Sequence, residues 1–399
     1  MKEKTLILVI LIFVMITSSQ SVTQNCILSK EIDKITKEIK FVIVEDIEKR
    51  TKRKNIKIIL RSKIIQGNLN IFLDRRSKRD SVFSLDIYNE KGQYFVYATV
   101  RNYIQKEKIK KIIKHYLNHG KISWQFKVGI VGLGVTCVPC ADLYVAPLKK
   151  RGSNLATQLL YGTPVMIFKT SKKQNFFYIQ NMADGYFGWL AAQDFKILTK
   201  KQWNDYYTSP KVYLKKSVRN LPPGTPIILK NNQHYRFCSK KLLKYLDITI
   251  KAYNHYKTKP SPDKIVKSAK NFLPKGKYGN ITYLWGGTCV PKLDCSGFVH
   301  TVFKIHNILL PRDADQQYQF SQHIKYEDMK PGDLIFFSKN KKRPTHVGIY
   351  IGDALYIHCS PSGTYSGIKI NNLNGKNKYE KYLRKIFFSA GRILKYNKN

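Results

Sequence analysis

The sequence predicts an α+β protein built from several domains. Mixed helical and strand-like patterns occupy residues 27–125, short strands between turn residues fill 128–250, and helices and strands again alternate in 258–399. With 399 residues, the chain is long enough to bury the cores of two or three domains. We therefore expect an N-terminal α/β domain, a β-rich middle and a C-terminal α+β domain.

Residues 1–21 predict an export signal. Lys2 and Lys4 precede an apolar run from Leu6 to Ile16, and a short polar stretch follows this run. The run is short for a transmembrane helix, so an uncleaved membrane anchor is the alternative. We expect a protein that is exported to the periplasm, the cell envelope or the medium.

Basic residues far outnumber acidic residues in this chain. Lys and Arg total 71 and Asp and Glu total 26, which gives a formal net charge of +45. Codon usage in an AT-rich genome explains the abundance of Lys, whereas the shortage of acidic residues favours attraction to a polyanion such as an anionic envelope polymer. Both explanations stay open. The charge is dispersed and no nucleic-acid-binding motif is present, so we expect no nucleic-acid partner.

Residues 27–125 predict a small α/β accessory domain. Apolar residues have helical spacing from Lys30 to Lys40, and a basic amphipathic helix is predicted from Tyr103 to His119. The predicted strands are Asn55–Leu60, Ser81–Ile87 and Gln93–Val100. This segment holds no combination of side chains that indicates catalysis.

Two β-rich segments follow the accessory domain. Turn residues separate short strands in 128–200, as in a small barrel, and 205–250 has the pattern of a second and shorter unit. The strands predicted in the second unit are Lys211–Leu214, Pro226–Leu229 and Tyr235–Ser239. A Lys- and Pro-rich linker then leads to a helix with Ser261 as its cap and Pro262 at its first position.

One cysteine of the C-terminal domain stands at the predicted start of a helix. The stretch Asp294-Cys295-Ser296-Gly297 precedes apolar residues with a helical period. The free N–H groups and the positive end of the helix dipole favour an anion at this position, so we expect a lowered pKa for Cys295 and a nucleophilic thiolate. Such a nucleophile needs a base from elsewhere in the chain.

Two histidines of a predicted β-hairpin supply that base. Apolar residues alternate along 346–358, and a three-residue loop from Gly352 to Ala354 places all of them on one face. The same loop places His346 and His358 on the other face as diagonal neighbours, about 7–8 Å apart at the backbone. One imidazole can then take the thiol proton while the other holds it in the right orientation.

Five motifs, taken in order, resemble the NlpC-type cell-wall cysteine peptidases, a circularly permuted papain-like family. They are Tyr283-x-Trp-Gly-Gly, Asp294-Cys-Ser-Gly, Leu310-Pro-Arg-Asp, Pro331-Gly-Asp-Leu-Ile-Phe-Phe and His346-Val-Gly-Ile-Tyr-Ile-Gly, and they lie in the last third of the chain. The resemblance implies a papain-like α+β peptidase domain at 258–399, with Cys295 as nucleophile, His346 as base and His358 as the third polar residue. It also implies that the Tyr283 hydroxyl borders the nucleophile, and it implies no metal and no organic cofactor.

The resemblance extends to the β-rich segments before the peptidase domain. Residues 128–200 are similar to the bacterial SH3-like domain that precedes such peptidases and walls their active-site cleft, and 205–250 resembles a second, shorter SH3-like domain. Tyr186 matches a tyrosine that helps to bind the substrate amine in the family. Asn154 stands where related enzymes place a Glu, which puts strict selection for a free N-terminal L-Ala in doubt because an amide lacks the charge that an ammonium group prefers.

Residues beside the nucleophile have both structural and functional interpretations. Asp294 is a candidate helix cap, and by resemblance it binds the substrate amine, while Ser296 hydrogen-bonds the α-carboxylate of D-glutamate. Arg312 is expected to form an ion pair with Asp313 or Asp315.

The remaining cysteines are less informative than Cys295. Cys137 and Cys140 have the spacing of a zinc or disulfide pair, and they are equally compatible with two small half-buried residues at a strand end. Cys289 has no predicted role, and Cys359 falls on the apolar face of the predicted hairpin as a core residue.

By this resemblance, we expect an exported endopeptidase that cleaves the γ-D-glutamyl-diamino-acid bond of peptidoglycan stem peptides through a thioester. An amidase or acyltransferase with the same Cys–His pair is a second hypothesis. A catalytically idle protein that binds the cell wall is a third. The pattern leaves open which stem peptide is the substrate.

Overall fold

The computed structural model describes residues 32–49, 51, 59–65, 68–74, 77–90, 93–117, 121–173, 175–217, 220–230, 233–234 and 260–394. The predicted export signal and the predicted strand Tyr235–Ser239 lie outside the described residues. The described part forms two compact units, one comprising 32–49 and 59–129 and the other comprising Thr51 and the residues from Ile130 onward. Within these ranges, no helix is both long enough and apolar enough to cross a membrane.

The first unit is a five-stranded sheet with two helices. Helix α1 (32–49) and helix α2 (Tyr103–Tyr116) supply apolar side chains to its core. The strands are β1 Leu60–Ile65, β2 Asn68–Leu73, β3 Phe83–Glu90, β4 Gln93–Val100 and β5 Lys121–Val128. They are hydrogen-bonded in the order β1-β2-β3-β4-β5, antiparallel except for the parallel pair β4–β5.

Helical periodicity explains the core of the first unit. Ile35, Ile39 and Ile43 recur every four residues along α1, and all three are buried. The prediction of an α/β arrangement is confirmed here, including β4 with the predicted bounds. Strands β1, β2 and β5 were not predicted, since β1 shares only Leu60 with the predicted strand Asn55–Leu60, most of which lies outside the described residues. Half of the β5 side chains are polar, so the local sequence pattern of this strand is weak. Its parallel pairing with β4 requires the α2 crossover between the two strands, which no local pattern shows.

Seven antiparallel strands form the next sheet. They are β6 Gly132–Thr136, β7 Cys140–Tyr144, β8 Leu155–Leu160, β9 Pro164–Thr170, β10 Phe176–Asn181, β11 Phe187–Ala191 and β12 Phe195–Ile197. Their order is β12-β6-β9-β10-β11-β7-β8, so hydrogen bonds between the described strands join them into one sheet and do not show the predicted barrel. A Cβ on Gly188 would lie 2.7 Å from the Leu143 side chain, so the close approach of β11 to β7 requires glycine there.

A helix and a three-stranded sheet follow. Helix α3 (Lys200–Thr208), which was not predicted, begins with a capping box of Thr199 and Gln202. The strands are β13 Lys211–Tyr213, β14 Pro226–Lys230 and β15 Gln233–His234. The first two match predicted strands to within one residue. Both lie in 205–250, the region that was predicted as a second SH3-like unit.

The C-terminal part is a mixed α+β domain built around one buried helix. Its helices are α4 Pro262–Lys270, α5 Cys295–Ile305, α6 Ala314–Phe320 and α7 Lys378–Lys385. A small sheet contains β16 Thr282–Tyr283, β17 Thr288–Cys289 and β18 Lys292–Leu293. The large sheet contains β19 Gln322–Ile324, β20 Leu334–Phe337, β21 His346–Gly352, β22 Leu355–Ser360, β23 Gly367–Asn372 and β24 Phe387–Arg392, in the order β19-β24-β20-β21-β22-β23.

Helix α5 is the centre of this domain. Every residue of α5 is buried, and the helix packs against β21 and β22 of the large sheet. Phe298, Val302 and Phe303 enter the same apolar core as Val347 and Ile357 of the two strands. This packing holds the first turn of α5 next to the β21–β22 hairpin.

Candidate active site

The β21–β22 hairpin has the predicted pairing near the histidines but not the predicted loop. Ile349 pairs with Ile357 and Tyr350 with Tyr356, whereas Leu355 pairs with Gly352 instead of Ile351. The prediction of a three-residue loop is therefore wrong. A two-residue loop joins the strands, and a β-bulge at Ile351 supplies the extra residue that keeps both histidines on one face.

The loop conformation agrees with this description. Asp353 and Ala354 have φ angles of 51° and 60°, so both lie in the left-handed region that a two-residue type I′ turn requires. Neither residue is glycine, which makes such a turn hard to recognise from the sequence.

The two imidazoles meet as the pattern predicts. His346 Nε2 lies 2.6 Å from His358 Nδ1. The other nitrogen of His358, Nε2, lies 2.8 Å from Asn371 Oδ1 on β23. His358 is fully buried, so this pair of hydrogen bonds accounts for both of its ring nitrogens without water.

Cys295 occupies the first turn of α5, next to this hairpin. Asp294 caps the helix, because its Oδ1 accepts a hydrogen bond of 2.6 Å from the Gly297 N–H. The Cys295 sulfur accepts hydrogen bonds from the backbone N–H groups of Val347 and Ser296. Since Val347 directly follows His346, the sulfur lies beside the β-strand that carries the imidazole.

The protonation of this site differs from the expectation. Burial, followed by the charge of Asp294, raises the pKa of Cys295 to about 12, against the effect of the hydrogen bond from Val347. Burial, followed by the charge of Lys369, lowers the pKa of His346 to about 4. The predicted lowering of the Cys295 pKa is therefore wrong, because the loss of water around the sulfur outweighs the helix terminus. Both shifts favour a neutral thiol and a neutral imidazole in the substrate-free site.

Tyr283 lies close to the nucleophile. Its strand β16 runs parallel to β18, and Tyr283 pairs with Leu293, two residues before Cys295. Burial, and then the nearby Cys295 and Asp294, raise the pKa of the Tyr283 phenol. The structure thus brings Tyr283 to the predicted place, and its part in catalysis stays a prediction.

A buried ion pair holds Asp294, the residue directly before Cys295. Arg312 is only 1% exposed, and its Nη2 donates to Asp294 Oδ2 at 2.6 Å while its Nη1 donates to Asp294 Oδ1 at 3.1 Å. The expected pairing of Arg312 with Asp313 or Asp315 is wrong, and Asp315 instead lies 3.7 Å from Arg343. The reason is the fold: the residues after Leu310 return to the start of α5 and bring the guanidinium onto the helix cap.

Protein donors occupy both oxygens of Asp294. Beside Arg312 and Gly297, the Ser296 hydroxyl donates to Oδ1 at 3.2 Å and the Gly286 N–H donates to Oδ2 at 2.9 Å. The Ser296 oxygen in turn accepts from Arg312 Nη1 at 2.8 Å. The substrate-binding roles of Asp294 and Ser296 stay predictions, and the structure adds that both side chains are held by Arg312.

The seven-stranded sheet reaches this site through β8. Arg312 Nε donates to Thr157 Oγ1 at 2.7 Å. Gln158 Oε1 accepts from the N–H groups of Thr288 and Cys289, at 3.1 and 3.3 Å, in the loop before the nucleophile. Residues of the region predicted as the first SH3-like unit therefore help to build the surroundings of the nucleophile.

A disulfide joins the same two elements. Cys140 of β7 is bonded to Cys289 of β17. Cys137 is disulfide-bonded as well, so Cys137 and Cys140 are not paired with each other and neither is a zinc ligand. The absence of a predicted role for Cys289 is thus corrected. Cys359 is a buried free thiol in the core, as predicted.

The two residues predicted near the substrate amine differ in their surroundings. Tyr186 is buried, and its hydroxyl donates to Asp313 Oδ2 at 3.2 Å. The side-chain amide of Asn154 is hydrogen-bonded to a nearby loop. Its Oδ1 accepts from the Ala146 N–H at 2.9 Å, and its Nδ2 donates to the Leu148 carbonyl oxygen at 2.8 Å. Binding of substrate by either residue stays a prediction.

Sequence reasoning missed the residues that support His358. Asn371 lies on β23, and Glu380 of α7 accepts a hydrogen bond of 3.1 Å from Asn371 Nδ2. Both residues follow the last recognised motif. The only signal was a pair of asparagines at the end of a short strand, and the meaning of this pair depends on the β22–β23 register.

Comparison with known proteins relates the C-terminal domain and the seven-stranded sheet to described families. The model of the NlpC/P60 family matches residues 279–387, and the model of the bacterial dipeptidyl-peptidase SH3 domain matches residues 143–195. A probable endopeptidase of Haemophilus influenzae is 35% identical over 120 residues, which cover 29% of this chain and 69% of that protein. The gamma-D-glutamyl-L-lysine dipeptidyl-peptidase of Bacillus cereus is 37% identical over 125 residues, which cover 31% of this chain and 35% of that enzyme.

One solved structure also matches part of this chain. The crystal structure of an NlpC/P60 family protein from Bacillus cereus matches 65% of this chain and 99% of that chain, with 22% sequence identity and a TM-score of 0.49. The chain spans less than half of the length of the dipeptidyl-peptidases that it matches, 35% of the Bacillus cereus enzyme and 45% of the Bacillus subtilis enzyme.

Proposed function

Because the chain belongs to the NlpC/P60 family of cysteine peptidases and carries a bacterial dipeptidyl-peptidase SH3 domain, we propose that it hydrolyses the γ-D-glutamyl-diamino-acid bond of peptidoglycan stem peptides. One observation carries this proposal above the others. The Cys295 sulfur lies at a buried helix start beside the strand that presents His346, and His346 is backed by His358. The names of the relatives, gamma-D-glutamyl-L-lysine dipeptidyl-peptidases, support the choice of bond.

The reaction begins with a proton transfer. The Cys295 sulfur attacks the γ-carbonyl carbon of D-glutamate while His346 takes the thiol proton, so no charged pair has to exist beforehand. His346 then gives this proton to the nitrogen of the diamino acid, the C–N bond breaks, and a thioester remains on Cys295. Water attacks the thioester with His346 again as base, and the γ-carboxylate of D-glutamate leaves with the thiol restored.

Backbone N–H groups around Cys295 stabilise the developing oxyanion. The first turn of α5 offers such groups because helix N-termini leave them without intrahelical partners. Each well-placed donor contributes about 3–4 kcal/mol in acyl transfer. The buried position of the site strengthens this effect, since water does not compete there.

The seven-stranded sheet supplies the other wall of the site in this proposal. Tyr186 and Asp313 form a hydrogen-bonded pair with a carboxylate that suits a substrate ammonium group. Asp294 is proposed to face the substrate amine and Ser296 the α-carboxylate of D-glutamate, both in an orientation that Arg312 maintains. Asn154 leaves the amine without the acidic partner of the relatives, so we propose tolerance for stem peptides whose L-Ala is not free.

The test uses two defined substrates with the same scissile bond. One is the free tetrapeptide L-Ala-γ-D-Glu-diamino acid-D-Ala, and the other is the same peptide attached to the disaccharide. We expect both to release the diamino-acid–D-Ala dipeptide, as measured by mass spectrometry. The Cys295→Ala variant should release none, and Cys359→Ala, which removes the other free thiol of the described residues, should remain active.

Other products would point to the alternative functions. Release of the whole stem peptide from the disaccharide indicates an amidase, and transfer of the acyl group to an added amine indicates an acyltransferase. Binding to purified walls with no cleavage of either substrate would falsify the peptidase proposal and support a binding protein.

We also propose that the protein is exported and acts in an oxidising compartment. The disulfide between Cys140 and Cys289 supports this, because such bonds are rare in reducing cytosol. Fractionation of producing cells should find the chain outside the cytoplasm and shortened by the export signal. Recovery of the full-length chain from the cytoplasm alone would contradict export.

The net charge of +45 leads to a further part of this proposal, namely attraction to anionic envelope polymers. Cys295→Ala protein should sediment with purified walls at low salt and be released at high salt. Walls stripped of their anionic polymers should bind less. Equal binding to stripped and intact walls would favour codon usage as the origin of the charge.

A further inference from the structure

A chain of hydrogen bonds continues behind His358. His346 Nε2 lies 2.6 Å from His358 Nδ1, His358 Nε2 lies 2.8 Å from Asn371 Oδ1, and Asn371 Nδ2 donates to Glu380 Oε1 at 3.1 Å. The register explains the alignment. Lys369 of β23 pairs with His358 of β22, so Asn371 stands two residues along the same face of the sheet.

Glu380 determines how the Asn371 amide is oriented. A carboxylate accepts hydrogen bonds and cannot donate one. Glu380 accepts from the Asn372 N–H at 2.9 Å and from the side-chain amides of Asn371 and Asn377. The Asn371 group that faces Glu380 must therefore be the N–H donor, which turns the amide oxygen towards His358.

The orientation of the amide decides where the histidine protons lie. Asn371 Oδ1 only accepts, so His358 must carry its proton on Nε2 and leave Nδ1 unprotonated. His346 Nε2 must then donate to His358 Nδ1. Because burial, followed for His358 by His346 and for His346 by Lys369, lowers the pKa of both rings, each carries one proton at neutral pH.

We propose that Asn371 and Glu380 are positioning residues for the peptidase reaction. Through His358 they place the single proton of His346 on Nε2, which leaves the Nδ1 lone pair to accept the thiol proton of Cys295. This inference rests on the proposed function of Cys295 and His346. It makes a claim that the proposed function does not make, because it assigns one tautomer to each of the two imidazole rings.

Loss of the acceptor would reverse both tautomers. Without Asn371 Oδ1, the His358 proton can move to Nδ1, where it becomes the donor in the bond to His346 Nε2. The proton of His346 then lies on Nδ1, and the ring can no longer take a proton from Cys295. A triad histidine in the wrong tautomer loses several orders of magnitude in turnover elsewhere, so this reversal has a large expected effect.

The kinetic test compares a loss variant with a rescue variant. Asn371→Leu has nearly the same size but no acceptor. We expect kcat to fall by at least tenfold and by no more than the roughly 10²–10⁴-fold contribution of general-base catalysis, with KM within about twofold of wild type. The double variant Asn371→Asp/Glu380→Gln exchanges the carboxylate and the amide. It keeps an oxygen acceptor towards His358 and a donor behind it, so it should regain most of the lost kcat.

The spectroscopic test does not depend on activity. Nitrogen-15 spectra of the imidazoles in Cys295→Ala protein, assigned with His346→Gln and His358→Gln variants, report which ring nitrogens carry protons. We expect Nε2–H on both rings, and Nδ1–H on both rings or an averaged state after Asn371→Leu. An unmodified protein with Nδ1–H on His346, or an Asn371→Leu enzyme with wild-type kcat, would overturn the proposal.

The two tests also separate this inference from the proposed function. If no stem peptide is cleaved, the proposed function fails, yet the spectra still decide the tautomers. If cleavage occurs but the Nε2–H pattern is absent, the function stands and the positioning role fails.

Discussion

Cys295, the proposed nucleophile, and His346, the proposed base, are supported by different kinds of interaction. Next to Cys295 lies a buried ion pair in which Arg312 donates two hydrogen bonds to the Asp294 carboxylate. The hydrogen-bonded path from His346 runs through the neutral side chains of His358 and Asn371, and the first charge on that path is Glu380. One side is held by charge and the other by a line of neutral donors and acceptors.

The two kinds of interaction suit two different tasks, because one region has to hold a helix in position and the other has to transfer a proton. A carboxylate hydrogen-bonded to His346 would raise the pKa of the ring, whereas neutral hydrogen-bond partners orient the ring and leave it able to take and return a proton. The ion pair is suited to the other task. It holds the helix cap, Ser296 and Thr157 in one network, so it locks the start of α5 to the seven-stranded sheet.

The largest effect on activity is expected on the neutral side. Replacing His346 with Gln removes the base and should lower kcat/KM about 10²–10⁴-fold, while the free energy of unfolding changes little because a polar side chain of similar size remains. Cleavage of the free tetrapeptide and urea unfolding measure the two quantities. A variant that keeps wild-type kcat/KM would remove His346 from the reaction.

The largest effect on stability is expected on the charged side. Arg312→Met leaves the carboxylate of Asp294 buried without its counter-charge, and breaking such a pair costs about 3–5 kcal/mol. Arg343→Met is a matched control, because Arg343 is 45% exposed and lies 3.7 Å from Asp315, and a pair of this kind contributes no more than about 1 kcal/mol. Equal losses for the two variants in urea unfolding would show that Arg312 has no special role.

The disulfide should have the next largest effect on stability. Replacing both Cys140 and Cys289 with Ser removes a bond between residues 149 apart in sequence, and such bonds contribute about 2–4 kcal/mol. The hydrogen bonds of Gln158 to the same loop remain. We therefore expect the rate of cleavage to change little while the free energy of unfolding falls. A double variant with unchanged unfolding but abolished cleavage would mean that the disulfide acts on the reaction itself.

The smallest effect concerns pH. Burial lowers the pKa of His346 to about 4, so the base is lost only as pH falls through this value, and kcat/KM should be flat from about pH 5 to 9. Lys369 is the second cause of this shift after burial. Lys369→Met should therefore move the acid limb to higher pH, and Lys369→Arg, which keeps the charge, should leave it in place. An unchanged limb in Lys369→Met would contradict this electrostatic effect.

The parts of the site that local pattern controls were predictable from the sequence. Motif order and helical period placed Cys295 at the start of a helix, and period-two alternation placed His346 and His358 on one face. The bulge at Ile351 escaped prediction because a two-residue loop with a bulge and a three-residue loop give the same pairing at the histidines.

The parts that depend on tertiary packing were not predictable. Arg312 meets Asp294, 18 residues away, only because the chain folds back onto the start of α5. The pKa of Cys295 depends on how much water the surrounding elements exclude, and a helix terminus alone predicts the opposite direction. Asn371 became interpretable only when the β22–β23 register was known.

The most direct measurement follows the rate at which iodoacetamide alkylates Cys295 as pH changes, with peptide mapping to separate it from Cys359. A neutral thiol beside a neutral imidazole predicts a slow rate at pH 5–7 that keeps rising with hydroxide concentration beyond pH 9, because only the thiolate reacts. A fast rate that is already constant from pH 5 upward would show a thiolate–imidazolium pair at rest and would contradict the account.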